Sequence, residues 1–253
     1  MKSETGKTLL VALILCIVCS VLVSGAAVSL RPMQQVNIKL DVKKNLLVAA
    51  GLIKSTAKRE EIEAAYKNVK PLLVDLASGE VVEGDVENYN QKKAAKDPKQ
   101  NIMIERSIDK GSIKMRAKIA KAYLIQEDGV TTMLVLPVHG KGLWSTMYGF
   151  LVLEPSTTIV KGIGYYAHGE TPGLGGEIDN PSWKATWAGK KLLNDSFEPV
   201  LKVVKGTAKT DTEIDGLSGA TLTSNGVSGT IQYWLGKDGF GPFLAKFREG
   251  GIQ

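Results

Sequence analysis

A turn followed by a helix is predicted by the run Asp215-Gly216-Leu217-Ser218-Gly219-Ala220-Thr221, continued by Leu222-Thr223-Ser224-Asn225-Gly226. Its glycines permit a tight turn, and its hydroxyl side chains are typical of positions where a helix begins. The first N–H groups of a helix have no partner within the helix, so they can bind an anion such as a phosphate. The alternative is an ordinary strand-to-helix turn that uses glycine and a hydroxyl cap.

A second region that can bind a ligand is the glycine-rich loop Ala167-His168-Gly169-Glu170-Thr171-Pro172-Gly173-Leu174-Gly175-Gly176-Glu177. Glycines such as Gly173 let the backbone approach a planar ligand closely. We expect Leu174 to cover one ring face, and Glu170 or Thr171 to bond a ring edge or a ligand hydroxyl. A hairpin loop without a ligand is the alternative.

Few other residues indicate chemistry. Trp144, in the run from 140 to 145, can stack on a planar ligand, although many tryptophans only pack in a core. The two histidines, His139 and His168, have no metal-ligand partner at helical spacing, so we predict no metal site. The Gly-x-Ser-x-Gly motif of many hydrolases is missing, and so is a Gly-x-Gly-x-x-Gly turn between a strand and a helix.

Composition favours a folded domain. The 253 residues are 43% hydrophobic and 23% charged, which suits one sizeable domain or two small ones. The net charge of +6 comes from basic residues scattered among acidic ones, so we predict no nucleic-acid partner. Cys16 and Cys19 are the two cysteines, and both lie in an apolar segment, which leaves no cysteine chemistry for the rest of the chain.

That apolar segment, from Leu9 to Val28, carries no charge. As a helix it would be roughly 30 Å long, the thickness of the hydrocarbon core of a bilayer. Lys2 and Lys7 precede it, which favours a cytoplasmic amino terminus and an exported remainder. A retained membrane anchor is our prediction. A cleaved signal peptide is the alternative, because residues 24–26 resemble a cleavage site.

The remaining pattern predicts an α+β fold: one transmembrane helix, then an exported domain with a mostly antiparallel sheet and flanking helices. A juxtamembrane helix is expected over 36–52, and a second helix is expected to begin at Ser55 and to include Val69 and Leu72. The polar segment 83–100 is interpreted as a surface connection. Strands are predicted at 133–138, 147–153 and 158–166, and helices at 180–189 and 223–235.

These separated motifs carry a resemblance to a known family. Asp215-Gly216-Leu217-Ser218-Gly219-Ala220-Thr221 resembles the motif at which a flavin transferase esterifies FMN, through its phosphate, to the final hydroxyl residue. Together with Lys44-Asn45-Leu46-Leu47-Val48-Ala49-Ala50-Gly51-Leu52, Gly140-Lys141-Gly142-Leu143-Trp144-Ser145-Thr146-Met147-Tyr148-Gly149 and the glycine-rich loop, it makes the chain similar to the C subunit of bacterial Na+-translocating NADH:quinone oxidoreductases. The G subunit of the related ferredoxin-linked complex shares the glycine-rich loop and Ser218-Gly219-Ala220-Thr221, whereas the segments at 44–52 and 140–149 favour the Na+-translocating enzyme.

The resemblance implies that FMN is the cofactor, bound as a phosphoester to Thr221. The other implied flavin contacts are Asp215, Leu217, Ser218, Gly219, Ala220, Thr223, Glu170, Thr171, Gly173, Leu174 and Trp144. Asp215, Ser218 and Gly219 would present Thr221 to the transferase. The implied domains are a membrane anchor (1–30), a juxtamembrane helical region and linker (31–100) and an FMN-binding domain (101–253).

The same resemblance implies a role within a six-subunit redox pump of the bacterial inner membrane, with the C-terminal domain in the periplasm. The flavin would relay electrons between an intramembrane iron centre and another flavin subunit. Implied partners are the other membrane and cytoplasmic subunits and, during maturation, the flavin transferase. A solitary exported electron-transfer protein, a subunit of the ferredoxin-linked complex and an exported ligand-binding module without redox chemistry remain open as alternatives.

Overall fold

The computed structural model describes residues 4–251, so Lys2 lies outside the described residues. The chain divides into two compact units, one ending at Val42 and the other beginning at Lys43. Helix α1, Glu4–Ala49, begins in the first unit, where its side chains as far as Lys39 are exposed. Among residues 4–251 it is the one helix long and apolar enough to cross a membrane.

Helix α1 ends at Ala49, in the second unit, and Gly51 follows it as the C-terminal cap glycine that the sequence predicts. Gly51 has a φ of +72°, and its N–H donates to the Val48 carbonyl at 3.0 Å, while the Leu52 N–H donates to the Leu47 carbonyl at 2.9 Å. This pair of bonds is a Schellman motif, which requires the left-handed conformation that glycine adopts readily. The last helical turn, with Leu46 and Leu47 fully buried, belongs to the core of the second unit.

The second unit contains a six-stranded antiparallel sheet in the order β2-β1-β5-β6-β7-β8. Its strands are β1 (Val69–Asp75), β2 (Val81–Val82), β5 (Ile119–Glu127), β6 (Val130–Lys141), β7 (Thr146–Leu153) and β8 (Val160–Ala167). Two short pairs lie outside it: antiparallel β3 (Asn101–Met103) with β4 (Met115–Ala117), and parallel β9 (Lys202–Val203) with β10 (Glu213–Ile214). The predicted α+β class and the three predicted strands are confirmed.

The prediction for the second helix is wrong at both ends. Helix α2 is Arg59–Tyr66, and its N-cap is Lys58 rather than Ser55. Val69 and Leu72 lie in β1, which pairs with β5 along its whole length. Pro71 has no N–H to continue a helix, and the apolar run after it is buried against the sheet. Strands β1 and β2 therefore come from the 31–100 region that was predicted to be helical and linker, and the predicted surface connection, 83–100, contains a short helix, α3 (Gln91–Ala94).

The helices that follow the sheet cover one of its faces. They are α4 (Pro181–Ala185), α5 (Thr221–Trp234) and α6 (Gly241–Arg248). Helix α5 packs against β6 and β9, and its apolar side joins the side chains of β6 and β7 in one buried cluster. Asn180 caps α4 as predicted, accepting a hydrogen bond from the Ser182 N–H at 2.9 Å. The predicted helix at 180–189 is shorter, because α4 ends at Ala185.

On the other face, the last turn of α1 lies against β8. A Cβ atom added to Gly162 would lie 2.4 Å from the Ala49 carbonyl oxygen, and one added to Gly164 would lie 3.0 Å from the Ala49 Cβ. No side chain fits between these backbones, so the two glycines are what allow α1 to approach the strand. The end of the predicted juxtamembrane helix is thus a packed element of the second unit.

Candidate functional site

Hydrogen bonds from neighbouring segments hold the turn before α5 in place. Asp215 Oδ1 accepts a hydrogen bond from the Ala208 N–H at 2.7 Å, and the Asp215 carbonyl accepts one from Trp183 Nε1 at 2.8 Å. A Cβ on Gly216 would lie 2.2 Å from the Val204 carbonyl oxygen. The Leu217 side chain is buried in the core. Asp215, Gly216 and Leu217 therefore fix the turn.

Helix α5 begins at Thr221, two residues before the predicted start at Thr223. Ala220 is the N-cap residue, and it has no side-chain oxygen with which to accept from the first turn. Among residues 4–251, the N–H groups of Thr221, Leu222 and Thr223 have no acceptor, and the Thr221 side chain is exposed. The first turn of α5 thus directs three unpaired donors and the helix dipole outward beside the Thr221 hydroxyl.

A cavity of about 320 Å³ lies at this turn. Its lining includes Ser218, Gly219 and Thr221 together with two residues that are not among the predicted contacts, Lys205 and Asn225. Lys205 follows strand β9, and the parallel pairing of β9 with β10 brings it next to the turn. The sequence has no local pattern that predicts pairing between two strands of two residues each. Lys205 is therefore recognised as a positively charged residue of the cavity lining only from the fold.

The glycine-rich loop meets the same turn. Gly219 has a φ of +69°, and a Cβ there would lie 2.9 Å from Leu174 Cδ2. Leu174 is 45% exposed, Thr171 and Gly173 are exposed, and Gly173 has a φ of +76°. The structure therefore brings the predicted loop and the predicted turn into contact, with the Leu174 side chain accessible beside Gly219.

Glu170 departs from its predicted contact with a ligand. Only 5% of Glu170 is exposed. Its carboxylate accepts hydrogen bonds from the N–H groups of Leu143, Trp144 and Ser145 at 3.0, 3.0 and 3.1 Å, and from Thr223 Oγ1 at 2.6 Å. Because both carboxylate oxygens are bound within the protein, Glu170 connects the 142–145 loop to α5 and does not face a ring edge.

The charge on Glu170 is maintained by these donors. Burial by itself would raise the pKa of the Glu170 carboxyl, but the hydrogen bonds from Thr223 and from the N–H groups of Trp144, Ser145 and Leu143 together hold that pKa below its ordinary value. Thr223, predicted as a cofactor contact, is fully buried and donates its hydroxyl to this carboxylate. Its side chain is therefore part of the internal connection.

Apolar side chains stand exposed around the same junction. Trp144 is 67% exposed, Leu222 is 61% exposed and Leu143 is 44% exposed. Leu222 follows Thr221 directly, and the backbones of Leu143 and Trp144 bind Glu170, so these exposed side chains belong to segments that meet near the turn. The Trp144 N–H donates to Glu170, which in turn binds Thr223 in the first turn of α5. Contact of the Trp144 side chain with a ring stays a prediction.

Comparisons with known proteins agree with this geometry. A model of the FMN-binding domain family matches residues 142–236, the segment that holds the 142–145 loop, the glycine-rich loop and the start of α5. The C subunit of the Na(+)-translocating NADH-quinone reductase of Vibrio anguillarum is 49% identical, over 98% of this chain and 96% of its own length. The corresponding Yersinia pestis protein is 46% identical, over 100% and 96%.

A solved structure has the same fold. The crystal structure of Shewanella oneidensis NqrC matches with a TM-score of 0.77 and 33% identity, covering 83% of this chain and 98% of the other. The fold and the site thus define a protein of the FMN-binding class. With relatives this similar over nearly their whole length, the chain belongs to the family of C subunits of the Na(+)-translocating NADH-quinone reductase.

Proposed function

We propose that the chain carries FMN as a phosphoester on Thr221 and serves as an electron relay in a Na+-pumping NADH:quinone reductase, between an intramembrane iron centre and another flavin subunit. The observation that carries this proposal is the exposed Thr221 hydroxyl at the first position of α5, beside three N–H groups without acceptors among the described residues. This arrangement places a nucleophilic oxygen beside N–H groups that can bind an anion.

The phosphate fits the first turn of α5. The N–H groups of Thr221, Leu222 and Thr223 can donate to phosphate oxygens, and the positive end of the helix dipole favours a negative charge there. Lys205, in the same cavity, adds a full positive charge. In the attachment step the Thr221 Oγ1–phosphorus bond forms, the hydroxyl gives up its proton, and the group bound to phosphorus in the flavin donor leaves.

The ring fits the apolar side of the junction. Leu174, Leu222 and Trp144 present exposed carbon surface that a planar ring would cover. FMN, once attached, supplies one-electron transfer. The protein holds it in place, limits the access of water to one ring face and tunes its potential through nearby charge. A covalent bond suits an exported domain, since a flavin lost outside the cytoplasm is not readily replaced.

The partners follow from this role. We propose that α1 is a retained inner-membrane anchor, that the second unit lies in the periplasm, and that the chain works with the other membrane and cytoplasmic subunits of the complex after a flavin transferase has modified it. Amino-terminal sequencing of the mature protein tests the anchor, because a cleaved signal peptide would give a terminus near Ala27. Protease accessibility in intact spheroplasts tests the orientation.

The attachment is tested by intact mass and peptide mapping of the full chain produced with the flavin transferase. We expect the peptide that contains Thr221 to carry one FMN, joined through its phosphate, and the denatured band to fluoresce under ultraviolet light. Thr221→Ala should lose both signals, while Thr207→Ala, which removes an exposed hydroxyl elsewhere, should keep them. Flavin on any other residue would overturn the assignment.

The solitary-protein alternative is separated by two measurements. Purification from the membrane should yield the other subunits together with this chain. The chain alone should be reducible by a chemical reductant but should show negligible NADH oxidation, because it has no recognisable nucleotide-binding fingerprint. Rapid NADH turnover by the chain alone would favour an independent reductase.

A further inference from the structure

Glu170 is bound by two segments that the sequence separates widely. Three consecutive N–H groups of the 142–145 loop and the Ser145 hydroxyl, at 3.4 Å, bind it from one side, and Thr223 Oγ1 binds it from the first turn of α5. Thr223 lies two residues after the proposed attachment point, Thr221. The carboxylate therefore links the loop that carries Trp144 to the helix start at Thr221, in addition to the direct packing of Gly226 of α5 on the Lys141 carbonyl.

Two glycines leave space for this carboxylate. A Cβ on Gly142 would lie 2.6 Å from Glu170 Oε1, and a Cβ on Gly175 would lie 2.9 Å from Glu170 Oε2 and 2.5 Å from Thr223 Oγ1. Atoms at those distances would overlap, so any other residue would force the carboxylate or its neighbours to move. The backbone at Gly142 and Gly175 therefore has room for the Glu170 carboxylate only because these residues lack a side chain.

No cation among the described residues neutralises Glu170. None of the ion pairs formed among residues 4–251 includes it, and all of its bonds come from uncharged N–H and O–H donors. The donors keep the carboxyl ionised by lowering its pKa, but they leave its net charge in place. A buried net charge acts on nearby groups more strongly than an exposed one, because less solvent screens it.

We propose that Glu170 is a positioning residue with an electrostatic effect: it holds the Trp144 loop against the start of α5, and its negative charge lowers the reduction potential of the flavin on Thr221. Adding an electron to the flavin adds negative charge close to a fixed negative charge, and this repulsion favours the oxidised form. The inference rests on the proposed function, because it needs the flavin to be at Thr221.

A purely structural Glu170 makes a different prediction. It would order the loop, and its replacement would lower stability, but the flavin potential would stay the same once the variant was folded and loaded. Measuring the potential therefore separates the two roles. The matched control is Glu177→Gln, since Glu177 lies in the same part of the chain and its carboxylate binds Asn180 Nδ2 at 2.7 Å rather than the 142–145 loop.

The first measurement uses amide hydrogen exchange on the full chain in detergent, without flavin. Glu170→Gln replaces an acceptor oxygen by an NH₂ group that opposes the N–H donors, so the amides of residues 143–145 should exchange at least tenfold faster. Glu177→Gln should leave them protected, and thermal melting should show that both variants fold. Unchanged protection at 143–145 in folded Glu170→Gln would overturn the positioning role.

The second measurement is a redox titration of the flavin-loaded chain, followed by absorbance. Glu170→Gln should raise the reduced-to-oxidised ratio at a fixed potential by about tenfold, an upward shift of about 59 mV for one electron. Glu170→Asp, which keeps the charge one methylene further back, should shift the potential less, and Glu177→Gln should not shift it measurably. An unchanged potential in loaded Glu170→Gln would overturn the electrostatic effect.

Two further outcomes are informative. If Glu170→Gln folds but takes up no flavin while Glu170→Asp does, the carboxylate is needed to form the site, and the smaller upward shift in Glu170→Asp then tests the electrostatic effect. If wild-type chain carries no flavin on Thr221 by mass, the proposed function fails. The exchange measurement would still decide whether Glu170 holds the loop, so the two failures are distinguishable.

Discussion

The two ends of helix α5 differ in exposure and in hydrogen bonding. At its first turn, Thr221 is exposed, three N–H groups have no acceptor among the described residues, and Lys205 faces the same cavity. At its last turn, Trp234 is fully buried and its Nε1 donates to the His139 carbonyl at 2.7 Å. The first turn has hydrogen-bond donors without acceptors among the described residues, whereas at the last turn a buried side chain donates to a backbone carbonyl.

The buried end also contains an ion pair. Arg116, 2% exposed, donates to Asp238 Oδ1 at 3.0 Å and to the Tyr233 hydroxyl at 3.1 Å, and Tyr233 bonds Asp238 in turn. This arrangement connects β4, the end of α5 and the segment leading to α6. The difference between the ends indicates that α5 is anchored at its carboxyl end so that its amino end can stay open for a ligand.

The largest effect is expected at the open end. Thr221→Ala in the assembled complex should abolish the covalent flavin and interrupt quinone reduction, while electron transfer from NADH to an artificial acceptor upstream continues. The melting temperature should match that of the wild-type complex without flavin, because the variant loses only an exposed hydroxyl at a helix start. Quinone reduction and ultraviolet fluorescence of the denatured band are the measurements, and unimpaired quinone reduction would contradict the relay.

At the buried end, the largest loss of stability should come from Asp238→Ala. It leaves the buried Arg116 without its counter-charge. Because Asp238 is itself 32% exposed, we expect a cost of about 3 kcal/mol of unfolding free energy, the low end for a broken buried pair. Urea unfolding of the flavin-loaded chain measures it. Asp195→Ala is the matched control, since Asp195 is fully exposed in its pair with Lys191, and it should unfold as wild type does. Equal stability of the two variants would show that the buried pair does not anchor α5.

His139 makes the buried end sensitive to acid. Its ring stacks on Tyr148 and packs against Trp234, and burial, with the charge of Lys92 adding to it, lowers its pKa from 6.5 to about 4. The unfolded chain therefore binds a proton between pH 6.5 and 4 that the folded chain does not, so folding stability is full above pH 6.5 and falls as the pH drops toward 4.

The loss should reach about 3 kcal/mol at pH 4, from a pKa difference of about 2.5 units. Urea unfolding at a series of pH values measures it, and His139→Phe, which keeps an aromatic ring in the stack, should have a flatter profile across this window. A wild-type profile that matches the His139→Phe profile would mean that the ring is not held neutral by the fold.

The smallest effect is expected at Lys205. Lys205→Gln should slow flavin attachment by about fivefold at low salt, and the difference should shrink as salt is added, because an exposed charge is screened. The rate of mass increase during incubation with the transferase measures it. Lys209→Gln, which changes an exposed lysine of the same loop outside the cavity, should react at the wild-type rate. Equal slowing by both would assign the effect to net charge alone.

Local chemistry made the open end predictable from sequence. Small residues and hydroxyls between 215 and 221 are typical of a turn and a helix start. The sequence therefore predicts the start of α5 within two residues, at Thr223 rather than Thr221. The Ala220 cap was missed because hydroxyl residues are the usual N-caps, and here Thr223 donates inward to Glu170 instead. That bond joins residues 53 positions apart, and no local pattern encodes it.

The buried end and the first sheet strand depended on long-range pairing. Val69 and Leu72 suit a helical face as well as a strand, and only the partner β5 decides between them. Lys205 and Arg116 are two of the many basic residues in the sequence, and nothing nearby distinguishes them. Their roles arise where β9 meets β10 and where β4 approaches the end of α5, which are outcomes of the tertiary fold.

The contact of Ala49 with Gly162 and Gly164 sets where the second unit can be separated from its membrane segment. Residues 43–49 fill a place on β8, with Leu46 and Leu47 fully buried. A shortened protein that begins at Lys43 keeps that surface covered, whereas one that begins at Leu52 would expose an apolar strip suited to aggregation. For crystallisation, electrode attachment or labelling, the useful cut therefore lies inside the long helix and not after it.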